Sequence, residues 1–211
     1  MDPREIDPER LTAEMVREAA EEFRRSYVFS DGIPVGIELI IQQTMGIQTI
    51  PMENLQLDCD MEGYISRDFR YIYVDKRLYD DDNYYKRVRF TIAHEIGHLV
   101  LHRSKIEMMK FNSEDEWKNF RIKLENDSLI WFEWQANEFA GRLLVPLDQL
   151  VIAFKEARTE ILKKNISWNA PKIDDEDLFS MIAPIIAPKF DVSPLVIEKR
   201  ITKEKIINLI H

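Results

Sequence analysis

From Asp7 to Tyr27 a charged run is broken by Leu11, Met15, Val16, Ala19, Ala20 and Phe23 at three- and four-residue intervals, the spacing of one amphipathic helix. Ser30-Asp31-Gly32-Ile33-Pro34 interrupts that pattern. Val35 to Met45 is apolar with helical spacing up to Gly46, and Ile47 to Met52 reads as extended. The period then shortens. Tyr64-Ile65-Ser66 and Tyr71-Ile72-Tyr73-Val74 are β-branched and aromatic runs separated by Arg67-Asp68-Phe69-Arg70, which predicts a hairpin. Its edge either pairs with an extended peptide or serves only the core.

After the capping run Tyr79-Asp80-Asp81-Asp82-Asn83, Val88, Ile92, Ile96, Leu99 and Val100 form one apolar stripe of a helix running from Tyr84 to about Arg103. Ala93, His94, Gly97, His98 and Leu101 occupy its other face, so the helix is expected to be central and buried. Gly97 in mid-helix costs about 1 kcal/mol relative to alanine, a loss that close approach of another backbone would offset. The polar stretch from Arg103 to Ile130, with Glu114-Asp115-Glu116 inside it, is read as an ordered helix, a lid or a solvated insertion. The run Glu133 to Pro146 is read as a further helix that Pro146 closes. The expected fold class is α+β, mostly helical with a small antiparallel sheet or hairpin beside the central helix. A domain over residues 1–150 is followed by a C-terminal helical segment, 151–211.

Composition narrows the setting. A chain of 211 residues, 45% hydrophobic and 32% charged, supports one sizeable core. The acidic start offers no secretion signal, and no apolar run is long enough to span a bilayer, so no membrane partner is expected. The single Cys59 allows no internal disulfide and no thiolate cluster, in keeping with a reducing cytoplasm. A formal net charge of −9 opposes a large nucleic-acid interface and favours a basic or neutral protein partner. Lys199, Arg200, Lys203 and Lys205 give the tail local basic character, which suits a packing element or, alternatively, a DNA-reading helix pair.

Three of the four histidines lie between positions 94 and 102, and His94-Glu95-Ile96-Gly97-His98 has the form His-Glu-x-x-His. Four residues apart on a helix, His94 and His98 share a face and can reach one ion, with Glu95 beside them as general base toward water. The competing account is a buried helix with two satisfied core histidines. A catalytic zinc of this kind takes three protein ligands. His102 lies about 12 Å along the axis from His94 and cannot join it on one ion; it is read as a helix-end cation or as a group behind the ligands. Val100 and Leu101 stand where a longer three-histidine motif would turn at glycine. A carboxylate must therefore complete the set, and the run Glu133 to Pro146 carries candidates for it, Glu133 and Glu138 among them. Asn137 either hydrogen-bonds a ligand or packs as an ordinary amide. Tyr84, Tyr85 and Arg142 are candidates for stabilising an oxyanion, with packing or surface roles as the plainer account.

The blocks Arg89-Phe90-Thr91-Ile92-Ala93-His94-Glu95-Ile96-Gly97-His98, Glu133-x-x-Ala136-Asn137-x-Phe139-Ala140 and Leu143-Leu144-x-Pro146 resemble the ImmA/IrrE family of metallopeptidases. The tail, Phe190-Asp191-Val192-Ser193 followed by Arg200-Ile201, is similar to the family's C-terminal helical element. The resemblance implies a zincin-like fold, Glu133 as third zinc ligand beside His94 and His98, and Glu95 as general base. Gln135 departs from the family, which often carries glutamate there. The cofactor expected is Zn2+, with Mn2+ or Fe2+ suited to the same donors. The implied activity is zinc-dependent endopeptidase cleavage of a cytoplasmic regulatory protein such as a helix-turn-helix transcriptional repressor, in stress response or transcription regulation. Such a repressor would be a separate polypeptide and the chain itself would not bind nucleic acid. The alternative is a non-proteolytic zinc-binding interaction module, against which the retained Glu95 argues.

Overall fold

The computed structural model describes residues 10–28, 32–108, 127–167 and 174–210. The chain divides into two compact units, Met1–Ser30 with Gly36–Leu143 and Asp31–Val35 with Leu144–His211. In the first, helix α1 (Ala13–Tyr27) is capped by Thr12, whose hydroxyl accepts from the Met15 amide at 3.3 Å, and it buries Val16, Ala20 and Phe23. The expected start at Asp7 falls outside the described residues. Helix α2 (Ile37–Leu39) continues as a π-turn (Ile40–Thr44) and stops before Gly46.

Strand β1 (Gln48–Met52) pairs in parallel with β3 (Tyr71–Asp75), while β2 (Gly63–Ile65) pairs with β3 in the antiparallel sense, giving the order β1-β3-β2. The expected hairpin is present, and the sheet as a whole is mixed because β1 joins the far side of β3. The hairpin turn is held by Ser66, whose hydroxyl accepts from the Arg70 and Tyr71 amides and donates to Asp68 at 2.6 Å. That hydrogen bond keeps the Asp68 carboxyl below its ordinary pKa. Phe69 takes a left-handed conformation, φ 57°, to close the turn.

A short helix α3 (Leu55–Cys59) crosses between β1 and β2, and α4 (Lys76–Tyr79) follows β3. Fully buried Asp75 ties both to the sheet, because its carboxylate accepts from the Gln56 amide at 2.8 Å and the Arg77 amide at 3.0 Å. Leu55, Met61 and Tyr64 bury a small cluster there, against which Met52, Cys59 and Tyr73 pack. Helix α5 (Tyr85–Met108) buries Val88, Ile92, Ile96 and Leu99 as the stripe predicts. Val100 departs from it and is 39% exposed beside α1. Helix α6 (Asp127–Leu144) runs to the chain's next turn. The three readings of Glu114-Asp115-Glu116 concern residues outside those described.

The second unit contains α7 (Leu147–Ser167), α8 (Asp175–Phe190) and α9 (Pro194–Lys203). Its core includes Leu150, Phe154, Ile182, Ile186, Phe190, Ile197 and Ile201. Asp174 caps α8 by accepting from the Asp177 amide, and Asp191 ends it in a left-handed conformation so that Pro194 can open α9. Arg200, one of the tail's four cations, turns inward. It pairs with Glu204 at 2.5 Å and donates to the Val145 carbonyl at 3.3 Å. Among the described residues no single helix is long and apolar enough to cross a membrane.

Strand β2 is pressed tightly between its neighbours. A methyl group at Gly63 would stand 2.6 Å from Thr91 Cγ2 and 2.8 Å from the Tyr73 carbonyl oxygen, and the second of these is backbone that cannot swing aside. Gly63→Ala is therefore expected to destabilise the protein by about 1–3 kcal/mol as overpacking. Urea unfolding checks this, and an unchanged midpoint would show that the strand can shift at no cost.

Candidate metal centre

Two turns of α5 carry the histidines and one face of α6 meets them. Helical spacing stacks His94 above His98, edge to face, with ring centroids 4.7 Å apart and their Nε2 atoms 3.0 Å apart. The Glu133 carboxylate closes the triangle, its Oε2 lying 3.1 Å from His94 Nε2 and its Oε1 3.7 Å from His98 Nε2. Donors bound to one tetrahedral zinc at its usual bond lengths are about 3.3 Å apart, so this donor set fits such an ion. The electrostatics agree with the geometry. Burial works to lower the pKa of His94, yet the hydrogen bond to Glu133 and the charge of Glu95 outweigh it and raise it, so the site draws positive charge to this point.

What lets the third donor arrive is the absence of a side chain between the helices. A methyl group at Gly97 would sit 3.1 Å from both Cα and O of Ala136 and 3.3 Å from Phe139 Cβ, closer than a side chain is ordinarily accommodated. The glycine expected from its cost to need a close neighbour has one, and that neighbour is the backbone of α6.

Glu95 has a different environment from Glu133. Ligand atoms of His94, Glu95 and His98 lie within 4.8 Å of one another, but Glu95 Oε2 accepts the Ile65 amide of β2 at 2.8 Å and the residue is 5% exposed. Ile65 stands opposite Ile72, and the neighbouring Ser66 amide is the one directed to β3, at the Tyr71 carbonyl. The Ile65 amide therefore points off the sheet edge toward α5. Of the two acids, Glu133 is the one in contact with both histidines, and Glu95 is the one anchored by backbone.

The far sides of the imidazoles are also engaged. His94 Nδ1 lies 3.2 Å from Asn137 Oδ1, so of the two accounts of Asn137 the structure shows the hydrogen bond to a histidine. His98 Nδ1 lies 3.0 Å from His102 Nδ1, and His102 Nε2 lies 2.8 Å from Gln135 Oε1. Phe132 stacks on the His102 ring at 3.9 Å. The reading of His102 as a helix-end cation is corrected, because α5 continues to Met108 and the ring is buried inside it. Burial, reinforced by His98, pushes the His102 pKa down to about 3, so it is neutral.

The remaining candidates are placed elsewhere. Glu138 forms a buried ion pair with Arg142 at 2.8 Å, which gives both side chains a packing role. Tyr84 and Tyr85 are 40% and 47% exposed, and the Tyr85 ring lies beneath the Arg89 guanidinium. Two contributors escaped the sequence reading. The Ile65 amide has no side-chain signature at all, and Gln135 was visible only as a departure from a pattern.

Compared with known families, the chain matches the model Peptidase_M78, described as the IrrE N-terminal-like domain, over residues 43–202, from just before β1 almost to the end of α9. No curated protein matches it.

Gly97→Val should force α5 and α6 apart. The expected result is a stability loss of about 1–3 kcal/mol together with weaker zinc binding, because Glu133 is carried away from the histidines. Unfolding curves and a zinc competition titration on the same preparation check both, and wild-type affinity in the variant would refute the link between the two.

Proposed function

The chain belongs to the Peptidase_M78 family of IrrE N-terminal-like domains, and on that footing we propose that it is a zinc-dependent endopeptidase of a cytoplasmic regulatory protein. His94, His98 and Glu133 would hold the ion and Glu95 would move the proton. The observation that carries this reading is the meeting of two imidazole Nε2 atoms and one carboxylate from a second helix, with a separately anchored glutamate beside them. Two nitrogens and one oxygen suit catalytic zinc, and manganese or iron(II) accept the same donors.

When bound, the ion supplies Lewis acidity toward water and the scissile carbonyl. The chain's own groups do the rest. Glu95 takes a proton from the attacking water as the new C–O bond forms at the carbonyl carbon, and then delivers that proton to the amine nitrogen as the carbonyl re-forms and the peptide C–N bond breaks. The Ile65 amide holds one carboxylate oxygen of Glu95 and so keeps the group beside the histidines. Hydrogen bonding of His94 to Asn137 presents the Nε2 lone pair toward the ion.

Charge supports the proposed substrate class. A helix-turn-helix repressor carries a basic DNA-binding surface, and a chain of net charge −9 attracts such a partner over distance. Glu95→Gln tests the reading. It should retain stoichiometric zinc while cleavage of candidate repressors falls by about 10²–10⁴-fold, the usual contribution of a general base. Zinc-loaded wild type that leaves repressors and unfolded polypeptides uncut, while binding a partner one to one, would instead identify an interaction module.

A further inference from the structure

The hydrogen-bond chain behind His98 runs in one direction only. A glutamine Oε1 accepts and cannot donate, so the His102 nitrogen 2.8 Å from it, Nε2, must carry the hydrogen. Neutral imidazole has one N–H, so His102 Nδ1 is then an acceptor. It faces His98 Nδ1 at 3.0 Å, and that nitrogen must donate. The remaining lone pair of His98 is on Nε2, the atom that faces His94 Nε2 and Glu133. Each link is fixed in place. Gln135 is fully buried on α6, His102 is 3% exposed, and Phe132 stacks on the His102 ring at 3.9 Å and lies tilted against the His98 ring at 4.6 Å.

We propose that His102 and Gln135 are positioning residues: acting in series, they fix His98 as its Nδ1–H tautomer and aim its Nε2 lone pair at the metal position. The proposal rests on His98 being a zinc ligand, as the proposed function has it. It gives His102, too distant along α5 to share an ion with His94, a role through His98 instead. It also gives the neutral amide at position 135 a consequence, since an oxygen acceptor there sets the direction of the whole chain.

The direct test is long-range proton–nitrogen correlation NMR on the zinc-loaded full chain with nitrogen-15-labelled histidine. The expected spectrum shows His98 protonated at Nδ1 and metal-bound at Nε2, with His102 protonated at Nε2. A His98 bound through Nδ1, or a His102 protonated at Nδ1, would overturn the proposal without any variant being made. Competition titrations supply the second arm. His102→Phe keeps the stack on Phe132 but removes the acceptor, and should weaken zinc binding by about 10–100-fold. His102→Gln, which restores an oxygen acceptor toward His98, should recover most of that loss. Zinc affinity within twofold of wild type in His102→Phe sinks the positioning role and leaves the peptidase reading intact, whereas a wild-type chain that binds no zinc sinks both.

Discussion

The contact between α5 and α6 at Gly97 and Ala136 governs the site, since every group proposed to bind or support the ion lies on one of these two helices. Backbones separated by a single missing Cβ bring side chains one turn away into hydrogen-bond range. His94 thereby reaches Glu133 and Asn137, His98 reaches Glu133, and His102 reaches Gln135. The conformational cost of glycine within a helix is offset by this approach, and a larger residue would widen the spacing for all of these pairs together.

The second constraint is electrostatic. Glu95, His98, His102 and Gln135 are buried, where an unanswered polar group costs free energy on the scale of a lost hydrogen bond or more. The site resolves this by giving the outward nitrogens of the histidines protein partners and leaving the inward ones to face one another and a carboxylate. Two acids and two imidazole lone pairs in one place form a negative potential well, and a divalent cation is the group that satisfies it. The sheet enters through one amide. By directing Ile65 N–H at Glu95, the edge of β2 separates the two acids chemically, one tied to backbone and the other in contact with the histidines.

Local periodicity determined much of this protein. The spacing of apolar residues marked α1 and α5, the change to alternating β-branched and aromatic residues marked the hairpin, and His94-Glu95-x-x-His98 placed two imidazoles on one face, because side-chain direction within a helix or strand is set by backbone geometry over a few residues. Those features need no knowledge of what lies across the core. The parallel addition of β1 to β3, the burial of His102 in place of an exposed helix end, the contact of Glu133 with the two histidines while Glu138 pairs with Arg142, and the anchoring of Glu95 by Ile65 were decided only in three dimensions. Each depends on which face of one element meets another far along the chain, and a backbone amide leaves no mark in the sequence of side chains. Packing between α5, α6 and β2 settled them, since close-packed surfaces fit in few relative positions.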